Sequence, residues 1–399
     1  MKLSLNPKKI YAVALVLVLL TPIYMVFFEA VAGVDKFFTR LIIMAMILLL
    51  LSCTGFFTKQ AVLINKRIAI TLFALCIIFG MSLLNLDLVD YSFIQFGFYV
   101  LVPAYILGQD FDFEHVLRYC TIFSIPLIFG INSMLVLENI GLNQADMYVV
   151  YAFLPSVIAT LSHFIHYRNE SSLVVKIGYI LGLIYFLKLI PVAIRGFILV
   201  VFVYIALEVI ISIQKNTTSK NYNILLLFII LALVILIANL GSILSLLVDI
   251  MQEHLKIEVG FVIKVARLLK DGDFSNGRMS IYSSAVQCFK ESPIVGHGID
   301  GIRIWSSGRI NYPHNSILQL LVDGGILFGF IPIIVIMISV YRIIINQIND
   351  KETMTFAVYL TSIGMINSLL SGDIWKNAPF WIAVFFYAKY ICGKQNKKY

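Results

Sequence analysis

Within a chain of 399 residues that is otherwise strongly apolar, a few short stretches carry side chains able to do chemistry. The stretch "NYPHNSILQLLVDGG", residues 311–325, sets Pro313, His314 and Asn315 just ahead of an apolar run. Imidazole can take up or release a proton near neutral pH, and a helix starting here would turn its free N–H groups and positive dipole end toward an anion. Pro313 suits the first turn of that helix, where an N–H is not needed; Asn315 or Ser316 suits the cap. Upstream, "DGDFSNGRMSIYSSAVQCFKESPIVGHGIDG" (271–301) opens with two turn dipeptides, Asp271-Gly272 and Asn276-Gly277. Arg278 comes directly after them, a guanidinium whose planar fork binds oxyanions in bidentate fashion. The pattern predicts a helix from about Met279 to Lys290, closed by Ser292-Pro293. Gly296, Gly298 and Gly301 come next, where backbone can turn tightly or approach a ligand. A second arginine, Arg195 in "PVAIRGFILVV", stands at the end of an apolar run.

The elements that must position these residues are membrane helices. Hydrophobic residues make up 60% of the chain and charged ones 13%, with a mean hydropathy of +0.93, which excludes a soluble globular domain. Runs of roughly 20 apolar residues, enough to cross about 30 Å of hydrocarbon as helix, recur along the sequence. They lie near 10–28, 37–57, 68–86, 91–108, 117–137, 147–166, 172–190, 196–213, 222–241, 325–345, 353–371 and 379–392. The fold class expected is therefore all-α, a polytopic bundle of about twelve spans. The first run has the basic flank of a signal peptide (Lys2, Lys8, Lys9) without a small-residue cleavage site, so it is read as a helix that stays.

The formal net charge of +8 reports topology, not a nucleic-acid partner, because the basic residues gather in short loops. With an even span count both basic tails, "MKLSLNPKK" and "GKQNKKY", fall in the cytoplasm, as do "TKQAVLINKR", "HYRNESS", "QKNTTSKNY" and "NQINDKE". The neutral or acidic "EAVAGVDK", "LDLVD", "ENIGLNQAD" and "DIWKNAP" then fall outside. One outer connection breaks the pattern: residues 241–324 form a loop of roughly 80 residues, too long for an ordinary link. The expected organisation is thus an N-terminal bundle (1–240), an extracytoplasmic loop (241–324) and C-terminal helices (325–399). The start of the loop carries apolar stripes at helical spacing (Ile243, Leu246, Leu247, Ile250; then Phe261, Val265, Leu268) that suit helices in the headgroup plane or packed on the bundle. Five scattered cysteines offer neither a C-x-x-C site nor a disulfide framework.

Arg278 after a glycine, a helix ending in Ser-Pro, a G-x-G turn, then His314-Asn315 before an apolar helix and a final glycine: this order resembles the O-antigen polymerase and O-antigen ligase family. The resemblance is specific over roughly 275–330, and elsewhere only span count and orientation agree. Arg195 fits the family's Arg-Gly, except that Ile194 precedes it where Ser or Thr is usual. The resemblance implies transfer of a glycan from an undecaprenyl diphosphate carrier to an acceptor sugar hydroxyl, at the outer side of a bacterial inner membrane. The lipid-linked donor, the acceptor and the bilayer are then the partners, with a flippase and a chain-length regulator as further protein partners open to it. Negative charge grows on the leaving diphosphate, which suits Arg278 and Arg195; His314 is the candidate base for the acceptor hydroxyl. Asn315, Gly296, Gly298, Arg303 and Arg309 are candidates for binding substrate. Diphosphate is already a good leaving group, so neither cofactor, metal nor covalent intermediate is called for, and direct inverting transfer is expected. The "YPHN" and G-x-G pairing favours a polymerase; a ligase acting on lipid A-core shares the chemistry. A flippase is the alternative of another class, but it would not need the long outer loop with its arginine and histidine.

Each of these residues has a structural reading too. His314 can belong to a helix cap, Arg278 can be a solvated loop cation, and Arg195 and Lys188 can snorkel at a span end. Asp323 and Glu291 are fallback bases. Tyr312 and Trp305 can stack on sugar rings or anchor at the interface, and His297, Arg303 and Arg309 can be plain surface groups.

Overall fold

The computed structural model describes residues 6–54, 65–82, 96–125, 145–170, 172–189, 195–216, 278–345, 348, 350–370 and 372–392. Among them every regular element is helical, as expected. The expected span near 222–241, the amphipathic stripes of 243–269 and most of the span near 117–137 lie outside the described residues. Three helices are long and apolar enough to cross a membrane, within Pro7–Glu29, Ser316–Ile344 and Lys351–Leu370, and shorter apolar helices join them.

Helix α1 (Pro7–Ala32) shows why these segments start and stop where they do. Pro7 occupies the first turn, the Asn6 side chain accepts from the Lys8 N–H, and Gly33 ends the helix in the left-handed region with its N–H returned to Glu29. Ala12, Leu15 and Leu19 are fully buried, so the first apolar run is a central member of the bundle. Helices α2 (Lys36–Ser52) and α3 (Lys66–Ser82) come next, then a π-turn leading into α4 (Val102–Gly108) and α5 (Phe113–Phe123). After α6 (Ala145–Tyr167), α7 (Leu173–Leu189) and α8 (Arg195–Asn216) the described chain resumes with α9 (Arg278–Glu291) and the short α10 (Gly301–Trp305). Then come α11 (Ser316–Gly324), α12 (Phe330–Ile344), α13 (Lys351–Leu360), α14 (Asn367–Leu370) and α15 (Ala378–Phe386). Helix α15 is buried along its whole length, as an all-apolar helix must be at the centre of a bundle. Phe113 stacks on Phe356 with ring centroids 5.2 Å apart and meets Phe386 edge-on, which ties α5, α13 and α15 together.

By length and composition alone Ser316–Ile344 passes for one span of 29 residues. Geometry excludes a straight rod. Gly325 takes φ 59, ψ −164, outside any right-handed helix. A Cβ placed on Gly329 would lie 2.0 Å from the Leu320 carbonyl oxygen, whereas nine residues of straight helix put those positions about 13 Å apart. The chain therefore folds back, and α11 is a separate helix packed against the start of α12. The N–H groups of Ile326 and Leu327 donate to the carbonyls of Pro293 and Ile294, both at 2.9 Å, so the segment after α9 braces the bend. Pro313 is a correction: the cap is Asn315, and the proline stands two positions outside the helix instead of in its first turn.

Among the described residues, connections meet at two ends. At one end the Ile299 N–H donates to the Ser82 hydroxyl at the close of α3, and Gln319 meets Asp373 from the loop before α15. At the other, Lys351 reaches the His166 carbonyl, and Lys389 reaches the carbonyls of Gly108 and Gln109.

Candidate active site

The site is built at the first of these ends, on a hydrogen-bonded frame. The Ser292 hydroxyl caps the Gly296 carbonyl, the His297 N–H donates to the Val322 carbonyl, and the Gly298 N–H donates to the Asp323 carbonyl. Both G-x-G glycines adopt left-handed φ (77 and 81). A Cβ on Gly296 would lie 2.5 Å from the Asp323 backbone, and one on Gly298 would lie 2.8 Å from Ser82 Oγ. The close approach that these two candidates allow is thus to the protein's own chain. His297 is likewise structural here, its Nε2 hydrogen-bonded to the Cys288 carbonyl at 2.8 Å.

On this frame His314 is held in an unusual state. Its backbone is left-handed, φ 56, a region that costs a residue with a Cβ roughly 1–2 kcal/mol. Asn315 fixes the start of α11: its Oδ1 accepts from the N–H groups of Ile317 (3.0 Å) and Leu318 (3.1 Å), so this candidate binding residue spends its side-chain oxygen on the cap. The Tyr312 ring lies against the His314 ring, with centroids 4.2 Å apart. His314 is half-buried, and its Nδ1 is buried without a hydrogen-bond partner among the described residues. Burial, and then the charge of Arg278, push the imidazole pKa down, so it is neutral at neutral pH with a ring nitrogen unspent.

Arg278 is the first residue of α9, half-buried, and its charge also acts on Tyr312. The structure therefore sets the charge of Arg278 within electrostatic reach of both Tyr312 and His314, across 36 residues of sequence. It does not do so for the other arginines in view. Arg303 is exposed with its guanidinium 4.0 Å from Asp300, and Arg309, also exposed, donates from Nε to the Ser306 carbonyl. The Arg195 backbone opens α8, and its side chain lies outside the described residues. Of the fallback bases, Asp323 is 1% exposed and accepts from the Trp375 indole N–H at 2.7 Å, a buried tie that shields it from an acceptor. Glu291 is exposed at the far end of α9, about 20 Å along the helix from Arg278. Trp305 packs into a small core with Cys288, Ile302 and Val322.

Two features carry no signal in the sequence. An apolar cavity of about 260 Å³ begins at Ser316 and Ile317, directly after His314 and Asn315, and runs between α8, α12 and the segment from Thr361 to Leu369 as far as Ile343 and Ile344. The loop 372–377, in sequence a plain connection, contributes buried Asp373 together with Trp375 and Lys376. Asp112, Glu114 and His115 could hold a metal ion by spacing, but they cluster at the opposite end of the bundle, and Glu114 is taken up by His163 at 3.0 Å.

Residues 180–334 match the family model of O-Antigen ligase. That stretch is less than half of the chain, yet it holds Arg195, Arg278, the G-x-G turn and His314. Over this stretch the chain is similar to the O-antigen ligase domain, consistent with a protein of the O-antigen polymerase and ligase family, whose members are glycosyltransferase-like enzymes. Together with the spanning helices, the domain points to a multi-pass bacterial membrane protein. No curated protein and no solved structure matches the chain.

Proposed function

We propose that the protein polymerises lipid-linked oligosaccharide repeats, moving the growing glycan from undecaprenyl diphosphate to a sugar hydroxyl of the next repeat at the outer face of the bacterial inner membrane. The observation that carries this reading is the neutral, half-buried His314, whose Nδ1 has no hydrogen-bond partner among the described residues and whose ring feels the charge of Arg278. In the reaction the acceptor oxygen bonds to the anomeric carbon as the carbon–oxygen bond to diphosphate breaks. The hydroxyl proton passes to His314, and the departing electron pair stays on the diphosphate, where the guanidinium fork of Arg278 meets it. Attack opposite the leaving group inverts the anomeric centre. The apolar cavity opening beside Asn315 supports a donor borne on a long lipid. Arg195 is proposed as a second guanidinium on the same diphosphate, with Arg303 and Arg309 as outer contacts for glycan.

Transfer to lipid A-core is the second reading, favoured by the description of the matching family. A deletion strain separates the two. Surface glycan reduced to one repeat on lipid A-core fits a polymerase, whereas long polymer stranded on undecaprenyl diphosphate fits a ligase and sinks our preference. His314→Ala should abolish chain extension while the protein remains in the membrane; unchanged polymer length would remove His314 from the reaction. Purified protein should stay active in the presence of a chelator, and a loss restored by Mg²⁺ would overturn direct metal-free transfer.

A further inference from the structure

Gly325 does more than bend the chain: it lets the turn that follows α9 lie directly on the start of the next apolar helix. A Cβ there would stand 2.3 Å from the Ile294 carbonyl oxygen. The turn itself is closed by Ser292, whose carbonyl accepts from the Gly296 N–H at 3.0 Å and whose hydroxyl donates to the Gly296 carbonyl at 2.9 Å. The three residues between them, Pro293, Ile294 and Val295, are apolar, and all three are exposed, Ile294 at 65%. A closed turn that spends its middle residues outward gains nothing from them in the core, so their apolar character asks for a partner.

The surface to which they belong names that partner. Ile326 and Leu327, both exposed, donate their N–H groups to the carbonyls of Pro293 and Ile294 and carry the apolar surface onto α12. From there Ile326, Phe330, Ile334, Met337 and Tyr341 recur at helical spacing and are all exposed, while Ile333, Ser339 and Ile343 of the same helix are buried. An exposed apolar stripe along a spanning helix faces acyl chains. Depth follows from length. About 20 residues of helix cross the roughly 30 Å of hydrocarbon, and counted back from Ile345, which ends α12 where the sequence turns polar, they reach Ile326. The turn, held at 2.9 Å to Ile326 and Leu327, therefore stands at the boundary between acyl chains and headgroups. Lys290 and Glu291, exposed at the end of α9 just before it, suit the polar side of that boundary.

We propose that the turn at 293–295 is a lipid-binding surface, its side chains seated among phospholipid acyl chains about 5–10 Å into the leaflet at the His314 end of the molecule, the depth at which interfacial apolar segments lie. The chain leaving the turn is bonded to α11, the His297 N–H to the Val322 carbonyl and the Gly298 N–H to the Asp323 carbonyl, both at 2.9 Å. The bilayer thereby sets the height of the frame on which His314 stands.

The test uses the full-length protein in nanodiscs, with the exposed Cys53 and Cys76 replaced by serine and one introduced cysteine, at Ile294, Met337 or Ser307, carrying the environment-sensitive fluorophore NBD. The quenchers are phosphatidylcholines with a nitroxide on the headgroup, high on the acyl chain or near its end, and iodide in the water. Ile294→Cys should lose most of its emission to the nitroxide high on the chain and little to iodide. Met337→Cys, exposed near the middle of the span, should lose most to the nitroxide near the chain end. Ser307→Cys, on an exposed polar turn, should answer to iodide and least to lipid. Val295→Asp should shift the Ile294→Cys response toward that of Ser307→Cys, since a carboxylate resists hydrocarbon, whereas Val295→Leu should leave it in place. An Ile294→Cys label quenched by lipid no more than the Ser307→Cys label overturns the proposal. So does one shielded from iodide and lipid alike, which would put a partner protein or a second copy on the turn, and so does a Val295→Asp protein with unchanged quenching. Should Ile294→Cys fail to fold, Val295→Cys with the same quenchers carries the comparison against Ser307→Cys. None of these readouts depends on glycan transfer, so the lipid contact stands or falls apart from the function proposed above.

Discussion

At the scale of single residues, His314 joins two demands that can be separated by substitution. Its left-handed backbone is a matter of conformation, and its unpartnered ring nitrogen a matter of chemistry. Asn tolerates the left-handed region and β-branched residues do not. His314→Asn should therefore abolish glycan transfer with an unfolding midpoint close to wild type, while His314→Val should lose activity and stability together. Equal midpoints for the two variants would show that the backbone state is not imposed by the fold. The imidazole pKa carries a second prediction with a definite sign. Burial is the larger cause of its depression and Arg278 the smaller, and both disfavour the charged ring. Arg278→Gln removes only the second, so the His314 titration midpoint should rise toward the ordinary value near 6.5 without reaching it. Ring-carbon NMR of labelled histidine reads this directly, and a midpoint that falls or does not move would exclude electrostatic contact between the two. His314 and Arg278 are legible in the sequence because residue type and order announce them. The buried tie between Gln319 and Asp373 is not, since the two lie 54 residues apart and carry no local pattern.

At the scale of elements, the bend between α11 and α12 orients the site, and glycine makes it possible. Hydropathy alone joins Ser316–Ile344 into one run, because apolar periodicity carries no record of direction. The Asp323-Gly324-Gly325 sequence does mark the break, but not the return of Ile326 and Leu327 to the carbonyls of Pro293 and Ile294. The sequence pattern misplaces Pro313 for a similar reason: Asn315 caps more effectively than the pattern can rank. The comparison that tests the bend is Gly329→Ala against Gly308→Ala. Gly308 has a left-handed φ of 79 and open space around it, so alanine there should cost only the conformational penalty of about 1–2 kcal/mol. A Cβ on Gly329 would meet the Leu320 carbonyl oxygen at 2.0 Å, and backbone cannot step aside as a side chain can. That variant should lose at least about 3 kcal/mol, through forced separation of α11 from α12. Unfolding midpoints in detergent rank the two; a Gly329→Ala protein as stable as Gly308→Ala would rule out the fold-back.

At the scale of the whole molecule, the sequence and the structure meet in the sorting of loops. Lys and Arg place "HYRNESS" and "NQINDKE" on one side, and the structure brings them to one end, with the Lys351 ammonium over the Tyr167 ring. The neutral "DIWKNAP" and the stretch around His314 converge on the other end through Gln319 and Asp373. Span count is less legible, since several helices are short or interrupted by π-turns that a fixed window cannot register. What charge bias supplies beyond the structure is direction: the end bearing His314 should face outward. To test this, the exposed native Cys53 and Cys76 are first replaced by serine, and a single cysteine is then introduced at Ser307 or at Lys351, both exposed positions. A membrane-impermeant thiol reagent should label Ser307→Cys in intact spheroplasts, and Lys351→Cys only once they are lysed. The reverse pattern would put His314 and Arg278 in the cytoplasm, where a lipid-linked repeat already carried to the outer leaflet could not reach them. Labelling of both in intact cells would contradict the two-ended arrangement itself, because no single bilayer could then separate the end held by Gln319 from the end held by Lys351.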